Sequence, residues 1–200
     1  MKKVIILNGP PGSGKDTLAN ELHNRCVADE VLSFKAPIFE IAEAVLGHSK
    51  FTDFIKLYND RDCKEVPCEM LGGLSPRQFM IAISERFIKP VLGNAYFGER
   101  IAEEVKLMQD GEVAVIPDGG FPSELVPLLR VRDVDVHVIR LYRQGYSFDG
   151  DSRNYIKKAD VFLAADGGCC DYYEHDLVLT DGDIKGAFYE ICKMTTEWHE

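Results

Sequence analysis

The chain reads as an α/β protein built on a doubly wound parallel sheet. Two short runs, Val4–Leu7 and Val113–Ile116, are wholly apolar and β-branched at three of four positions. Strands buried on both faces need that composition. Segments with apolar residues at helical spacing alternate with the strand runs, which is the pattern of a parallel sheet wrapped by helices. A glycine-rich turn, Gly9-Pro10-Pro11-Gly12-Ser13-Gly14, separates the first strand from the first helix.

Each element follows in order. Helices are expected over Thr17–Val27 and over Ala36–Leu46, the second opened by Pro37 in its first turn. Residues 61–74 read as a loop, punctuated by Cys63, Pro67, Gly72 and Gly73. Ser75-Pro76 is a helix start, with Ser as N-cap and Pro at the first helical position. That helix is predicted to reach Ile88 and to be ended by Pro90. Tyr96–Gln109 is another helix, and Val113–Ile116 ends at Pro117-Asp118-Gly119-Gly120. A short helix over Glu124–Val131, a strand over Val134–Leu141, a polar loop over 143–153, a strand over Leu177–Thr180 and a helix over Ile184–Met194 complete the chain. With 200 residues and neither repeat nor linker, one domain spanning 1–200 is expected, with 143–153 as a lid-like loop.

Composition narrows the classes. The net charge of −10 argues against a protein that grips nucleic acid through a broad basic face, although a local cationic pocket is compatible with it. The six cysteines form no CxxC pair and have no histidine cluster beside them, which argues against zinc; the vicinal Cys169-Cys170 reads as two reduced thiols. No run approaches the length that crosses a bilayer, and the apolar start stops after four residues, so no export signal is read and the expected compartment is the cytoplasm.

The chemistry sits in Gly9-Pro10-Pro11-Gly12-Ser13-Gly14-Lys15, the GxxxxGK of a Walker A loop, placed after a buried strand and opening a helix. Glycines let the backbone wrap a phosphate, the amides of 12–17 point at the anion, and the helix N-terminus adds positive potential. Lys15 would bridge the β- and γ-phosphates of ATP, where negative charge grows during transfer. The usual Ser/Thr after the lysine is replaced by Asp16, with Thr17 next. Either is a hard oxygen donor for Mg2+, and Asp16 is the favoured one. No guanine-reading NKxD and no strand of four apolar residues ending Asp-Glu is present, which favours a small kinase over a GTPase or motor ATPase.

Over most of its length the chain resembles the bacteriophage deoxynucleoside monophosphate kinases, P-loop kinases of the thymidylate kinase-like group. The resemblance is carried by Gly14-Lys15-Asp16-Thr17, Phe34-Lys35-Ala36-Pro37-Ile38, Ser75-Pro76-Arg77, Tyr96-Phe97 with Arg100, Ile116-Pro117-Asp118, and Leu177–Gly182. It implies a nucleoside monophosphate kinase-like fold and ATP as phosphate donor with Mg2+. It departs after the strand that ends in Asp118. There those enzymes read Asp-x-Arg, whereas this chain reads Asp118-Gly119-Gly120 and loses a cation suited to an acceptor phosphate. A related phage group, the 5-hydroxymethyluracil DNA kinases, is similar in the P-loop and phosphorylates the base hydroxymethyl of 5-hydroxymethyldeoxyuridine in DNA. An alcohol must lose a proton and a monophosphate need not, so a retained Asp118 without its arginine favours the alcohol. The alternatives are a kinase of free deoxynucleoside monophosphates and, from another class, a nucleotide-binding switch or sensor.

The expected catalytic residues are therefore Lys15, Asp118, Arg143 and Arg153, the last two from the lid. Gly9 through Thr17 hold the nucleotide, and Lys35 and Arg77 are candidate contacts to the acceptor. Arg140 also flanks the lid, and Tyr146 and Phe148 lie in it, placed either to stack on a base or to anchor the loop. Glu85 and Arg86 read as a solvated face, and His137 and Trp198 as packing residues.

Overall fold

The computed structural model describes residues 1–151, 153–165 and 171–196. The vicinal cysteines Cys169-Cys170 and Trp198 lie outside the described residues. In chain order the elements are β1 (Lys2–Asn8), α1 (Lys15–Asn24), β2 (Glu30–Val31), α2 (Ala36–Leu46), α3 (His48–Asn59), α4 (Pro76–Ala82), a π-helical stretch Ile83–Ile88, α5 (Lys89–Leu92), α6 (Tyr96–Leu107), β3 (Val113–Ile116), α7 (Pro122–Leu125), β4 (Val134–Arg143), α8 (Lys158–Ala165), β5 (Asp171–Leu179) and α9 (Ile184–Thr196).

The five strands form one parallel sheet in the order β2-β3-β1-β4-β5. This is the α/β, doubly wound architecture of P-loop kinases. Its central strand, β1, is flanked by β3 and β4, so the strand order reverses beside it. Open α/β sheets hold ligands in the crevice beyond the strand ends at such a point. The chain leaving β1 enters the glycine-rich loop there.

The chain divides into two compact units, Met1–Phe34 with Phe97–Glu200, and Lys35–Tyr96. In the first, alternate residues of β1 serve opposite faces of the sheet. Ile5 and Leu7 pack with Leu18, Ala19 and Leu22 of α1 and with Phe188 and Ile191 of α9, all nearly inaccessible. Ile6 faces the other way, and the space above it is so short that a Cβ on Gly119 would lie 2.5 Å from its Cγ2. In the second unit Phe54 is fully buried against Phe51, Tyr58 and Phe79, with ring centroids 5.8 to 5.9 Å apart. Helix α4 opens on a capping box: Gln78 N donates to Ser75 Oγ at 3.2 Å, and Ser75 N to Gln78 Oε1 at 3.0 Å.

Several boundaries differ from the sequence reading, each for a local reason. Helix α1 ends at Asn24 rather than Val27, because Cys26 takes a positive φ of 57° and the Val27 amide turns back to the Leu22 carbonyl at 2.9 Å. Helix α3 was unforeseen, although Phe51, Phe54, Ile55 and Tyr58 carry helical spacing. Pro90 does not end its helix. The chain passes through the π-helical turns of 83–88, Pro90 falls at the second residue of the next segment, and the stop comes at Gly93, with φ 95°. The expected helix over Glu124–Val131 is split by Pro127 into α7 and a 3₁₀ turn over Leu128–Arg130. Strands β4 and β5 are longer than expected because they pair along nine residues, Asp135↔Asp171 to Arg143↔Leu179. Among the described residues no helix is long and apolar enough to cross a membrane.

Candidate functional site

The loop after β1 closes on itself. Ser13 N donates to Pro10 O at 3.2 Å, and Gly12 and Gly14 take φ values of 79° and 101°, which only glycine adopts without strain. Gly14 then caps α1 in the left-handed conformation. Gly9 is fixed by crowding, since a Cβ there would lie 2.8 Å from Ser13 Oγ and 3.0 Å from Leu141 O. Lys15 is buried, and its Nζ donates to Gly9 O at 2.6 Å and Pro10 O at 2.8 Å. The ammonium is thus held inside the loop by neutral carbonyls. Ser13 Oγ is buried and has no hydrogen-bond partner among the described residues, the condition of a hydroxyl awaiting a polar ligand. Asp16 and Thr17 are exposed in the first turn of α1.

Asp118 follows β3. The register Ile6↔Ile116 sets it level with Asn8, the last residue before the loop. It is buried, and both carboxylate oxygens accept hydrogen bonds from the chain after β2: Ser33 Oγ donates to Oδ2 at 2.7 Å and Phe34 N to Oδ1 at 3.1 Å. Bonds to both oxygens fix the orientation of the carboxylate.

Sequence reasoning missed Asn8. Fully buried, it donates from Nδ2 to Gly119 O and to Asn154 O, each at 3.2 Å, and accepts from Ile156 N at 2.9 Å. One side chain therefore ties the end of β1, the turn after β3 and the segment after the expected lid. The only sequence signal was a polar residue closing a wholly apolar strand. Glu124 was missed too: its buried carboxylate accepts from Gly120 N at 3.3 Å and Phe121 N at 3.2 Å, which shapes the same turn.

The arginines expected in the lid separate into three roles. Arg140 belongs to the sheet: it forks onto Asp176, its cross-strand partner, at 2.6 and 3.1 Å, and reaches Glu174 at 3.4 Å. Arg143 reaches the phosphate loop. Its Nη1 donates to Gly12 O at 3.2 Å, its Nε to Asp181 Oδ1 at 2.7 Å, and its guanidinium lies 4.6 Å from the centre of the Tyr146 ring. The bond to Asp181 holds it still more firmly charged. Arg153 is mostly buried and forks onto Asp151, Nε to Oδ1 at 2.9 Å and Nη2 to Oδ2 at 2.7 Å. Its side chain lies on the turn after β3, where a Cβ on Gly120 would stand 2.4 Å from its Cδ. The space over Gly120 is therefore filled by an arginine from elsewhere in the chain.

The remaining candidates are placed as follows. Lys35 and Arg77 fall in the second unit. Lys35 caps α2, its carbonyl accepting from Ile38 N at 2.9 Å, and Arg77 pairs with Glu65 at 3.1 Å. In that unit Glu85 pairs with Lys89 at 2.6 Å. Phe148 packs edge-on against Tyr155, which stacks on Tyr142 at 4.4 Å and donates to Leu141 O at 3.1 Å. Tyr142, Tyr155 and Arg143 border a pocket of about 330 Å³ also lined by Gln144, Tyr146 and Val178. His137 is buried, stacked on Tyr173 and 3.1 Å from His175. Among the described residues no cluster of three or more His, Cys, Asp or Glu could hold a metal by itself. Asp16 and Thr17, exposed beside the loop, are hard-oxygen donors of the kind that a Mg2+ would take.

No protein-family model matches the chain, and no curated protein does. Solved structures do. One is a candidate kinase from Chloroflexus aurantiacus J-10-fl, 16% identical, covering 96% of this chain and 94% of that one with a TM-score of 0.46. That degree of likeness carries no statement about chemistry, and the fold assignment rests on the sheet order and the loop themselves.

Proposed function

We propose that the protein is an ATP-dependent P-loop kinase whose acceptor is an alcohol, the hydroxymethyl group of 5-hydroxymethyldeoxyuridine in DNA. The observation that carries the reading is Asp118, a buried carboxylate held by Ser33 and Phe34 at the sheet end beside the phosphate loop, in a turn with no cation of its own sequence. In this reading Asp118 takes the hydroxyl proton as the new oxygen–phosphorus bond forms. The bond from the γ-phosphorus to the bridging oxygen breaks, and ADP leaves. Lys15 stabilises the charge on the transferring group, and Arg143, beside Gly12, supports it from the end of β4. Asp16 and Thr17 are the residues that would hold Mg2+, which, when bound, offsets charge between the β- and γ-phosphates.

A second reading, a kinase of free deoxynucleoside monophosphates, is favoured by one observation: Arg153 lies over Gly120 and returns a cation to the turn after β3. The decisive experiment offers ATP labelled in the γ-phosphate to deoxynucleoside monophosphates, unmodified DNA and hydroxymethyluracil-containing DNA. Label is expected in the hydroxymethylated DNA. Lys15→Ala should lower transfer by about 10²–10³-fold, and Asp118→Asn by about 10²–10⁴-fold with ATP affinity nearly retained. Efficient labelling of free dTMP or dGMP with none in the modified DNA would overturn the alcohol reading. Hydrolysis of ATP that no acceptor stimulates would favour a switch over a kinase.

A further inference from the structure

We propose that Gly120 and Arg153 act as a pair: the missing side chain at 120 admits Arg153 to the end of β3, where its guanidinium binds the phosphate that the acceptor already carries. This rests on the kinase reading and names what the acceptor side of that site recognises. The shared chemistry is a phosphate next to the reacting nucleoside, either a backbone phosphodiester of a strand or the 5′-phosphate of a free nucleotide.

Four observations converge on it. First, the approach is close. A Cβ on Gly120 would stand 2.4, 2.7 and 3.1 Å from Arg153 Cδ, Cγ and Cβ, so any other residue at 120 displaces the arginine. Second, the cation is built in. Its side chain is 16% exposed and that of Asp151 5%, and the fork between them is completed by Arg153 N donating to Asp151 Oδ1 at 2.9 Å. Third, the segment behind it is pinned, because Asn8 holds Asn154 O and Ile156 N together with Gly119 O. A cation so anchored loses little freedom on binding, unlike one on a swinging loop. Fourth, the guanidinium stays charged, with three carboxylates facing it. The bond to Asp151 raises the Arg153 pKa against the effect of burial, and Asp118 and Glu124 lie close enough to add to the rise. Asp151 takes two of the five N–H donors of the guanidinium, and among the described residues Nη1 donates to nothing. A planar fork with donors to spare, over a turn that holds the proposed base, is suited to a phosphate oxygen and would set the reacting nucleoside beside Asp118.

The test compares three acceptors with and without a phosphate next to the reacting nucleoside: a strand containing 5-hydroxymethyldeoxyuridine, its 5′-monophosphate, and the bare nucleoside. The readout is the ratio of kcat/KM for each phosphate-bearing acceptor to that for the nucleoside. Arg153→Gln should lower that ratio by about tenfold to a hundredfold, the size of one or two charge-assisted hydrogen bonds. Gly120→Ala should act in the same direction by displacing Arg153, and Arg153→Lys should recover part of the loss. The double variant Gly120→Arg with Arg153→Gly, which moves the cation onto the turn itself, should restore part of the preference. A ratio unchanged in Arg153→Gln, or an equal loss on all three acceptors, overturns the proposal; the second result would place Arg153 on the donor phosphates. Whichever phosphate-bearing acceptor shows the larger effect identifies the source. If the wild-type protein labels no acceptor, the kinase reading has failed, and calorimetric binding of the monophosphate against the nucleoside, in wild type and Arg153→Gln, still decides whether Arg153 reads phosphate. No phosphate-dependent difference there overturns the pair.

Discussion

At the scale of single residues, Asp135 is a carboxylate that the fold disfavours. It stands on β4, and its Oδ1 is buried with no hydrogen-bond partner among the described residues. Burial raises its pKa most, Asp171 across the strand pair raises it further, and Lys3 and the N-terminus pull it down. A raised folded-state pKa means that the native chain holds the proton more tightly than the unfolded one. Stability is then lost as pH climbs from the ordinary aspartate value, about 4, through the higher native value. Asp135→Asn removes the charge while keeping the shape. Its melting temperature should exceed that of the wild type at neutral pH, and the advantage should vanish in acid, where both states of Asp135 are protonated. Thermal melts at several pH values check this, and an advantage independent of pH would rule out the charge as its cause. Nothing local in the sequence marks this residue; its environment comes from neighbours on β1 and β5.

At the scale of elements, the glycine-rich loop owes its geometry to what holds the end of β1. The glycines at 12 and 14 make the turn, and that much was legible because left-handed backbone writes itself into glycine positions. The brace was not legible. Asn8 bonds residues 119, 154 and 156, and no sequence spacing signals contacts across such distances. Asn8→Ala should strand the buried Ile156 N–H and two carbonyls. The orphaned N–H alone should cost about 1–3 kcal/mol of unfolding free energy. Urea denaturation reads the loss, and hydrogen exchange should quicken at 154–156 and in the loop. A variant as stable as wild type would show that water replaces the amide without penalty. The helices of the second unit make the same point about reach. The Ser75 cap was readable because a capping box lies within four residues. The passage of Pro90 was not, since it depends on the π-helical turns before it.

At the scale of the whole molecule, the net charge of −10 repels a nucleic acid at long range. If the acceptor is a strand, productive contact must be confined to a few cations such as Arg153, and each neutralised phosphate releases about 0.7 of a counterion from a single strand. The logarithm of the association constant for the modified strand should fall with the logarithm of salt concentration with a slope of about −1 to −2. Titrations at several salt concentrations measure it. A slope steeper than about −5 would demand a wide basic surface and contradict the confined site.

The sequence by itself determined the sheet class, the glycine turn after β1 and the carboxylate at the end of β3. Each is written in contiguous residues: apolar β-branched runs for buried strands, glycines for a turn that needs left-handed backbone, and an acid where a parallel strand stops. Only the tertiary structure decided which arginine does what. Arg140, Arg143 and Arg153 look alike along the chain, yet Arg140 faces a cross-strand carboxylate, Arg143 reaches the loop after β1, and Arg153 fills the space over Gly120. An arginine side chain is long and finds its partner through space, so the register of β5 against β4 and the close packing over a glycine assign these roles, and no spacing along the chain encodes either.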